Sequence, residues 1–368
     1  MEYKINKHIQ SQIKNSYAKE DSNENNNIEI DCYEGINNVS FSSKAIHTFN
    51  NISHNIIKDY PHGTDIKKSI INYWSKNINI NLESNNIILC DGSISGIYLI
   101  NRLFLEPNDK VLGYIPQFPE YGIDVEMHGA KFEYYTLKKE NNYKFIEDEF
   151  ISCINSHYKL IYIDNPNNPT GQVISLDVIE KILKSAKNNG VMVIIDEAYG
   201  DYMDMKNSAL NLINSYDNLI VLKTFSKGFA LAGLRAGYII IPKELFAPIN
   251  KITNPYSITE LGRRVAISVL EDDNFIKNTL NKNKEIKSQF LKSWKNLNIS
   301  TTCDTVSICL IEHKNKNINL QKEFAKFKIG VVDGSTFKSL GKNSIRFRIP
   351  KEEDIPKVLE AFTYIDSL

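Results

Sequence analysis

From about Thr64 onward, helical patterns alternate with short apolar runs. The runs are Ile87 to Cys90, Val111 to Ile115, Leu160 to Ile163, Val191 to Ile195, Leu219 to Leu222 and Tyr238 to Ile241. A strand that is apolar at successive positions is covered on both faces. Such strands alternating with helices predict an α/β fold, with a mostly parallel sheet between two helical layers. After Pro242 the texture changes. Long helical patterns at about Ile258 to Leu270 and Asn274 to Leu297 precede a strand at Val306 to Ile311 and a helix at Leu320 to Phe327. Strands near Ile329 and Ile345 and a closing helix from Glu352 to Ile365 complete a smaller α+β unit. The expected division is residues 1–45 as an N-terminal arm and part of the small domain, 46–255 as the large domain and 256–368 as the small domain.

Composition narrows the function classes. A chain of 368 residues with 42% hydrophobic and 24% charged content is an ordinary globular protein with room for two domains. Lys+Arg and Asp+Glu both total 44, so no general basic field points to nucleic acid or an anionic membrane, and anion binding must be local. The five cysteines are odd in number, dispersed and without a C-x-x-C pair, which disfavours a disulfide framework or zinc site and suits a reducing cytoplasm. Met1 to Glu20 is polar, so neither a secretory signal nor a membrane anchor is expected. The Asn-rich patch Asn23 to Asn27 reads as a connection between arm and body. The seven histidines form no H-x-x-x-H pair and no G-x-S-x-G elbow is present.

The chemistry concentrates in Lys223 to Tyr238, directly after an apolar run. Lys227 stands among small and apolar residues, behind Thr224 and Ser226 and ahead of Arg235. An amine able to form a Schiff base, with hydroxyls and a guanidinium able to hold a phosphate, is what a pyridoxal phosphate site needs. Asp91 to Gly96 opens a helix with small residues, either as an ordinary Ser/Gly helix start or as an anion cup. Asp196 ends a strand, where it could cap a turn or meet a cofactor's ring nitrogen.

The run Thr224-x-Ser226-Lys227-x-Phe229-x-x-x-Gly233-x-Arg235 resembles the cofactor lysine segment of class I/II aminotransferases of fold type I. Within them it is similar to the branch of histidinol-phosphate aminotransferase and threonine-phosphate decarboxylase. The resemblance implies a large pyridoxal phosphate-binding domain with a seven-stranded, mostly parallel sheet sandwiched by helices, plus a smaller α+β C-terminal domain. It also implies roles. Lys227 is the Schiff-base lysine and general base. Backbone amides of Ser93 and Ile94 join Thr224, Ser226 and Arg235 at the phosphate. Asp196 meets the pyridine nitrogen, Asn168 and Tyr199 the 3′-oxygen, and Phe118 the ring face, unless Phe118 is a core residue. Tyr60 reaches the neighbouring subunit's cofactor, so a homodimer with shared sites is implied, and Arg346 grips the substrate carboxylate. Arg348, on the same strand face by alternation, is an additional anion-binding candidate or a surface charge, with the surface reading favoured.

The substrates implied are amino acids and small keto compounds or phosphorylated amines, with transamination as the expected reaction and decarboxylation of a phosphorylated amino acid as the alternative. Three departures bear on this choice. Ile94 and Ser95 replace an acidic pair frequent in histidinol-phosphate aminotransferases, the decarboxylase's N-terminal His-Gly-Gly segment is absent, and Val332 replaces an arginine that helps bind phosphate in both subfamilies. Lys338, Arg348 and Arg263 are other cations available to a phosphate. A cofactor-binding regulator of transcription would need a helix-turn-helix module and a basic patch, for which the chain has no room.

Overall fold

The computed structural model describes residues 3–17 and 27–368. All of the Asn-rich patch except Asn27 lies outside the described residues. In chain order the strands are β1 (Ile30–Asp31), β2 (Ile87–Cys90), β3 (Lys110–Ile115), β4 (Lys131–Thr136), β5 (Tyr158–Asp164), β6 (Met192–Asp196) and β7 (Leu219–Thr224). They continue with β8 (Gly237–Ile240), β9 (Leu297–Ile299), β10 (Ile308–His313), β11 (Ile329–Gly330), β12 (Val332–Asp333) and β13 (Ser344–Arg348).

The large sheet has seven strands in the order β2-β8-β7-β6-β5-β3-β4. Only β8 runs antiparallel to its neighbours. Its two faces follow from the period of two. Ile161, Ile163, Val193, Ile195, Leu219 and Val221 enter one core, while Leu160, Tyr162, Ile194, Ile220 and Leu222 enter the other. Helix Leu176–Asn188 lays Ile179, Ile182, Leu183 and Ala186 on the first face, the i, i+3, i+4, i+7 spacing of one helical stripe. Helix Ser93–Phe104 covers the second with Ile97 and Ile100. Helices therefore sandwich the sheet.

The smaller sheet is antiparallel in the order β12-β13-β10-β9. β1 pairs parallel with β11, so Ile30 and Cys32 enter the small core with Phe324, Phe347 and Phe362. Helix Glu260–Leu270, after the expected division at 255/256, places Val265, Ala266 and Val269 in the large core. Helix Phe275–Ser288 begins in that core with Phe275 and Ile276 and reaches the small one with Ile286.

Two expectations need correction. The helical pattern expected to run to Leu297 stops at Ser288. The Asp366 carboxylate accepts the backbone N–H groups of Lys295, Asn296 and Leu297 at 3.0, 2.6 and 2.9 Å, holding that segment in a turn that leads into β9. A partner some 70 residues away leaves no local trace. The other is β4, absent from the runs read above, because an edge strand that alternates Lys131, Glu133 and Tyr135 with Phe132 and Tyr134 has no continuous apolar stretch. Among the described residues no helix is long and apolar enough to cross a membrane.

Candidate active site

The carboxyl ends of the parallel strands open on a cavity of about 230 Å³. Ser93, Ile94, Phe118, Asn168, Asp196, Tyr199, Thr224, Ser226, Lys227 and Arg235 line it together. They come from five separate segments, each at or just beyond the end of a strand of the large sheet.

One end is built for an anion. Gly92, at φ 81°, precedes helix Ser93–Phe104, whose first N–H groups have no partner within the helix. A Cβ on Gly92 would lie 2.7 Å from Arg235 Nη2, so a side chain there would push the guanidinium away. Arg235 donates to the Asp91 carbonyl at 3.2 Å and to Ser226 Oγ at 3.4 Å, and Thr224 Oγ1 stands 2.9 Å from Ser226 Oγ. A guanidinium, two hydroxyls and a helix N-terminus thus face one space.

At the cavity floor, Lys227 Nζ lies 5.4 Å from the centre of the Tyr199 ring. Burial lowers its pKa to about 8; the nearby Tyr17 phenol opposes the shift and the Arg346 charge adds to it. The Tyr199 hydroxyl is buried and has no hydrogen-bond partner among the described residues. Asp196 is also buried and accepts from Tyr121 Oη at 2.8 Å and from the Ala198 N–H at 2.8 Å. Its pKa is pushed up to about 6, chiefly by burial. Asp196 therefore ties the turn and also faces the cavity.

Arg346, on β13 of the small sheet, meets Asn168, in the loop after β5 of the large one. Arg346 Nη1 donates to Asn168 Oδ1 at 3.2 Å, and Nη2 to the Tyr33 carbonyl at 2.6 Å. Between them sits Tyr17 of the N-terminal arm, whose hydroxyl accepts from Arg346 Nη1 at 2.7 Å and from Asn168 Nδ2 at 2.8 Å. The guanidinium also covers its ring at 4.4 Å.

Tyr60 is not brought into this cavity. It is 71% exposed and stacks on Tyr256 with ring centres 4.7 Å apart. The favoured surface reading of Arg348 is wrong. Its side chain is buried, pairs with the Asp31 carboxylate at 2.9 Å and donates to the Ile349 carbonyl at 3.2 Å. The partner that draws it inside lies on β1, more than 300 residues away in sequence. Arg263 is engaged by Glu260 and Asp65, and Lys338 lies over the Tyr134 ring at 4.2 Å. None of these three cations lines the cavity.

Sequence reasoning missed Tyr17, Tyr121 and Asp164, which also line it. Tyr17 stands in a polar segment without periodicity, so nothing local marked it. Tyr121 and Asp164 were detectable, one a single helical turn beyond Phe118 and the other the last residue of a buried strand.

The model of the family described as aminotransferase class I and II matches residues 39–362. The chain belongs to the class I and II aminotransferases. These are pyridoxal phosphate-dependent enzymes. This aminotransferase is similar to the histidinol-phosphate aminotransferase of Methanocaldococcus jannaschii, with 30% identity over 318 residues, 84% of this chain and 82% of the relative. It is 32% identical to that of Methanococcus aeolicus over 286 residues, 76% of each chain. The crystal structure of the histidinol-phosphate aminotransferase from Clostridium acetobutylicum matches with a TM-score of 0.78 at 26% identity, covering 92% of this chain and 99% of that one. L-threonine-O-3-phosphate decarboxylase from Porphyromonas gingivalis shares the fold, with a TM-score of 0.77 at 17% identity over 92% of this chain and 100% of that one.

Proposed function

We propose that this aminotransferase binds pyridoxal phosphate at Lys227 and moves an amino group between an amino acid such as glutamate and a small keto substrate, phosphorylated or not. The observation that carries this reading is the convergence of an amine, a buried acid and an anion cradle on one cavity. The residues fit the group. The unpartnered Tyr199 hydroxyl suits a ring oxygen, Asp196 awaits a cation, and the space kept open by Gly92 suits a phosphate. When bound, the cofactor supplies an electron sink for charge developing at the substrate Cα.

The protein's own groups do the rest. The N–H groups of Ser93 and Ile94, with Thr224, Ser226 and Arg235, hold the phosphate dianion. Asp196 keeps the ring nitrogen protonated, Phe118 packs on the ring, and Asn168 and Tyr199 orient it. Lys227, with a pKa near 8, takes and returns the Cα proton close to neutral pH. Arg346 fixes the substrate carboxylate and thereby the Cα–H bond. A carboxylate bound there takes the place of the Tyr17 hydroxyl on Arg346 Nη1. The functional unit is a homodimer with shared sites, in which the exposed Tyr60 serves the partner's phosphate.

A panel of amino acids and phosphorylated amines, offered with 2-oxoglutarate and assayed for keto acid and carbon dioxide, tests the reading. Keto acid formation is expected. Carbon dioxide release from threonine phosphate without a keto product would contradict it.

A further inference from the structure

Two buried carboxylates stand side by side at the ends of β5 and β6. Asp164 and Asp196 are register partners on these parallel strands, which lie roughly 4.8 Å apart. Asp164 lines the same cavity as Asp196 and is only 3% exposed. An acid at that depth needs several donors to stay ionised. They come from two different loops and from Tyr114 on β3. After β3, Gln117 Nε2 donates to Oδ1 at 3.0 Å, beside Tyr114 Oη at 2.6 Å. After β5, the Asn168 backbone N–H donates to Oδ2 at 2.9 Å, and Asn167 Nδ2 reaches both oxygens at 3.2 and 3.3 Å. Asn167 Nδ2 also reaches the Pro116 carbonyl at 3.2 Å, so the two loops are laced together over the acid.

The first loop carries Phe118 immediately after Gln117, and the second carries Asn168 itself. We propose that Asp164 is a positioning residue of the cofactor site, a single buried carboxylate that fixes the Phe118 ring and the Asn168 amide at the same time. The inference rests on the reading above, in which these two groups flank the cofactor ring. No neutral side chain does the same work. Asparagine would turn an N–H towards one of the four donors, and alanine would reach neither loop. Tyr114, buried in the large core, donates its hydroxyl to the Asp164 carbonyl and carboxylate, so the acid is also anchored from below.

Asp164→Ala and Gln117→Ala, singly and together in the full chain, test this. The readouts are the dissociation constant of pyridoxal phosphate, the visible circular dichroism of the bound cofactor and the melting temperature of the cofactor-free protein. Loss of the charge-assisted contacts should weaken affinity ~10-fold or more in Asp164→Ala and diminish the dichroism, with a smaller loss in Gln117→Ala. The double variant should resemble Asp164→Ala, because Gln117 acts through the acid. If Asp164→Ala does not fold, Asp164→Asn replaces it, with the same loss of dichroism expected. Unchanged affinity and dichroism with only a lowered melting temperature would overturn the proposal and leave the functional reading standing. A wild-type chain that takes up no cofactor at Lys227 would overturn both.

Discussion

Val332 stands directly opposite Arg346 across the antiparallel β12–β13 pair, and both side chains are buried. Opposed residues share a sheet face, so the place beside Arg346, the arginine proposed to bind the substrate carboxylate, holds an apolar group rather than a second cation. Of the two arginines on this face of β13, Arg348 is held by the Asp31 carboxylate, which leaves Arg346 to meet a phosphate dianion. Glutamate should therefore serve as amino donor more readily than histidinol phosphate. Val332→Arg should raise kcat/KM for histidinol phosphate ~10–100-fold, the return of charge-assisted bonds of roughly 1.5–3 kcal/mol. Like charges across the strand pair should lower the melting temperature of the unliganded variant. Equal native activity on both substrates, unmoved by the substitution, would contradict this.

Asp196 gives a pH signature. Burial pushes its pKa up to about 6, with Asp164 and Glu197 adding to the shift and the bonds from Tyr121 and the Ala198 N–H opposing it. Between about pH 4 and 6 the folded, cofactor-free protein therefore keeps a proton that the unfolded chain has released. The stability this group contributes is full below that window and is lost as pH rises through it. Asp196→Asn cannot ionise, so the cofactor-free variant should gain on wild type in thermal melts as pH rises from 4 to 6. With cofactor present, its turnover should fall ~10²–10³-fold. A loss of ~0.5–2 kcal/mol at every pH with turnover intact would instead assign Asp196 only to the turn it caps.

Gly35 makes room for Tyr199. A Cβ at position 35 would fall 1.7 Å from Tyr199 Oη, an overlap that only movement of the buried phenol relieves. Gly35→Ala should weaken pyridoxal phosphate binding ~10-fold or more. Tyr199→Phe, which removes one hydrogen bond of roughly 0.5–1.5 kcal/mol, should weaken it less. Cofactor titrations of the two variants check the order.

The proposed sharing of sites predicts complementation. Mixed dimers of Lys227→Ala and Tyr60→Ala chains carry one site with both lesions and one with neither. Random reassortment of two inactive parents should restore about a quarter of wild-type activity. No recovery after mixing would place Tyr60 outside the partner's site.

How far the sequence could be read followed from where each residue's partners lie. The runs of β2, β3, β5, β6, β7 and β8 were visible because both faces of each are buried, so every position is apolar. The edge strand β4 lacked that mark, and the turn after Ser288 depended on Asp366. In the site, Thr224, Ser226, Lys227 and Arg235 lie within one short stretch and could be found by spacing. Tyr17 and Arg348 could not. Each acquires its role from a segment at the opposite end of the chain, Tyr17 from Arg346 and Arg348 from Asp31. Asp164 could be seen to end a buried strand, but its contacts could not, because its donors come from β3 and from the loops after β3 and β5, which only the strand order brings together.

Everything proposed for this aminotransferase depends on one covalent link. The most direct measurement is borohydride reduction of the protein with pyridoxal phosphate, followed by peptide mass analysis. The reduced label should sit on Lys227, and Lys227→Ala should fold, take no label and lose turnover. A label on another lysine, or normal turnover in Lys227→Ala, would contradict the assignment.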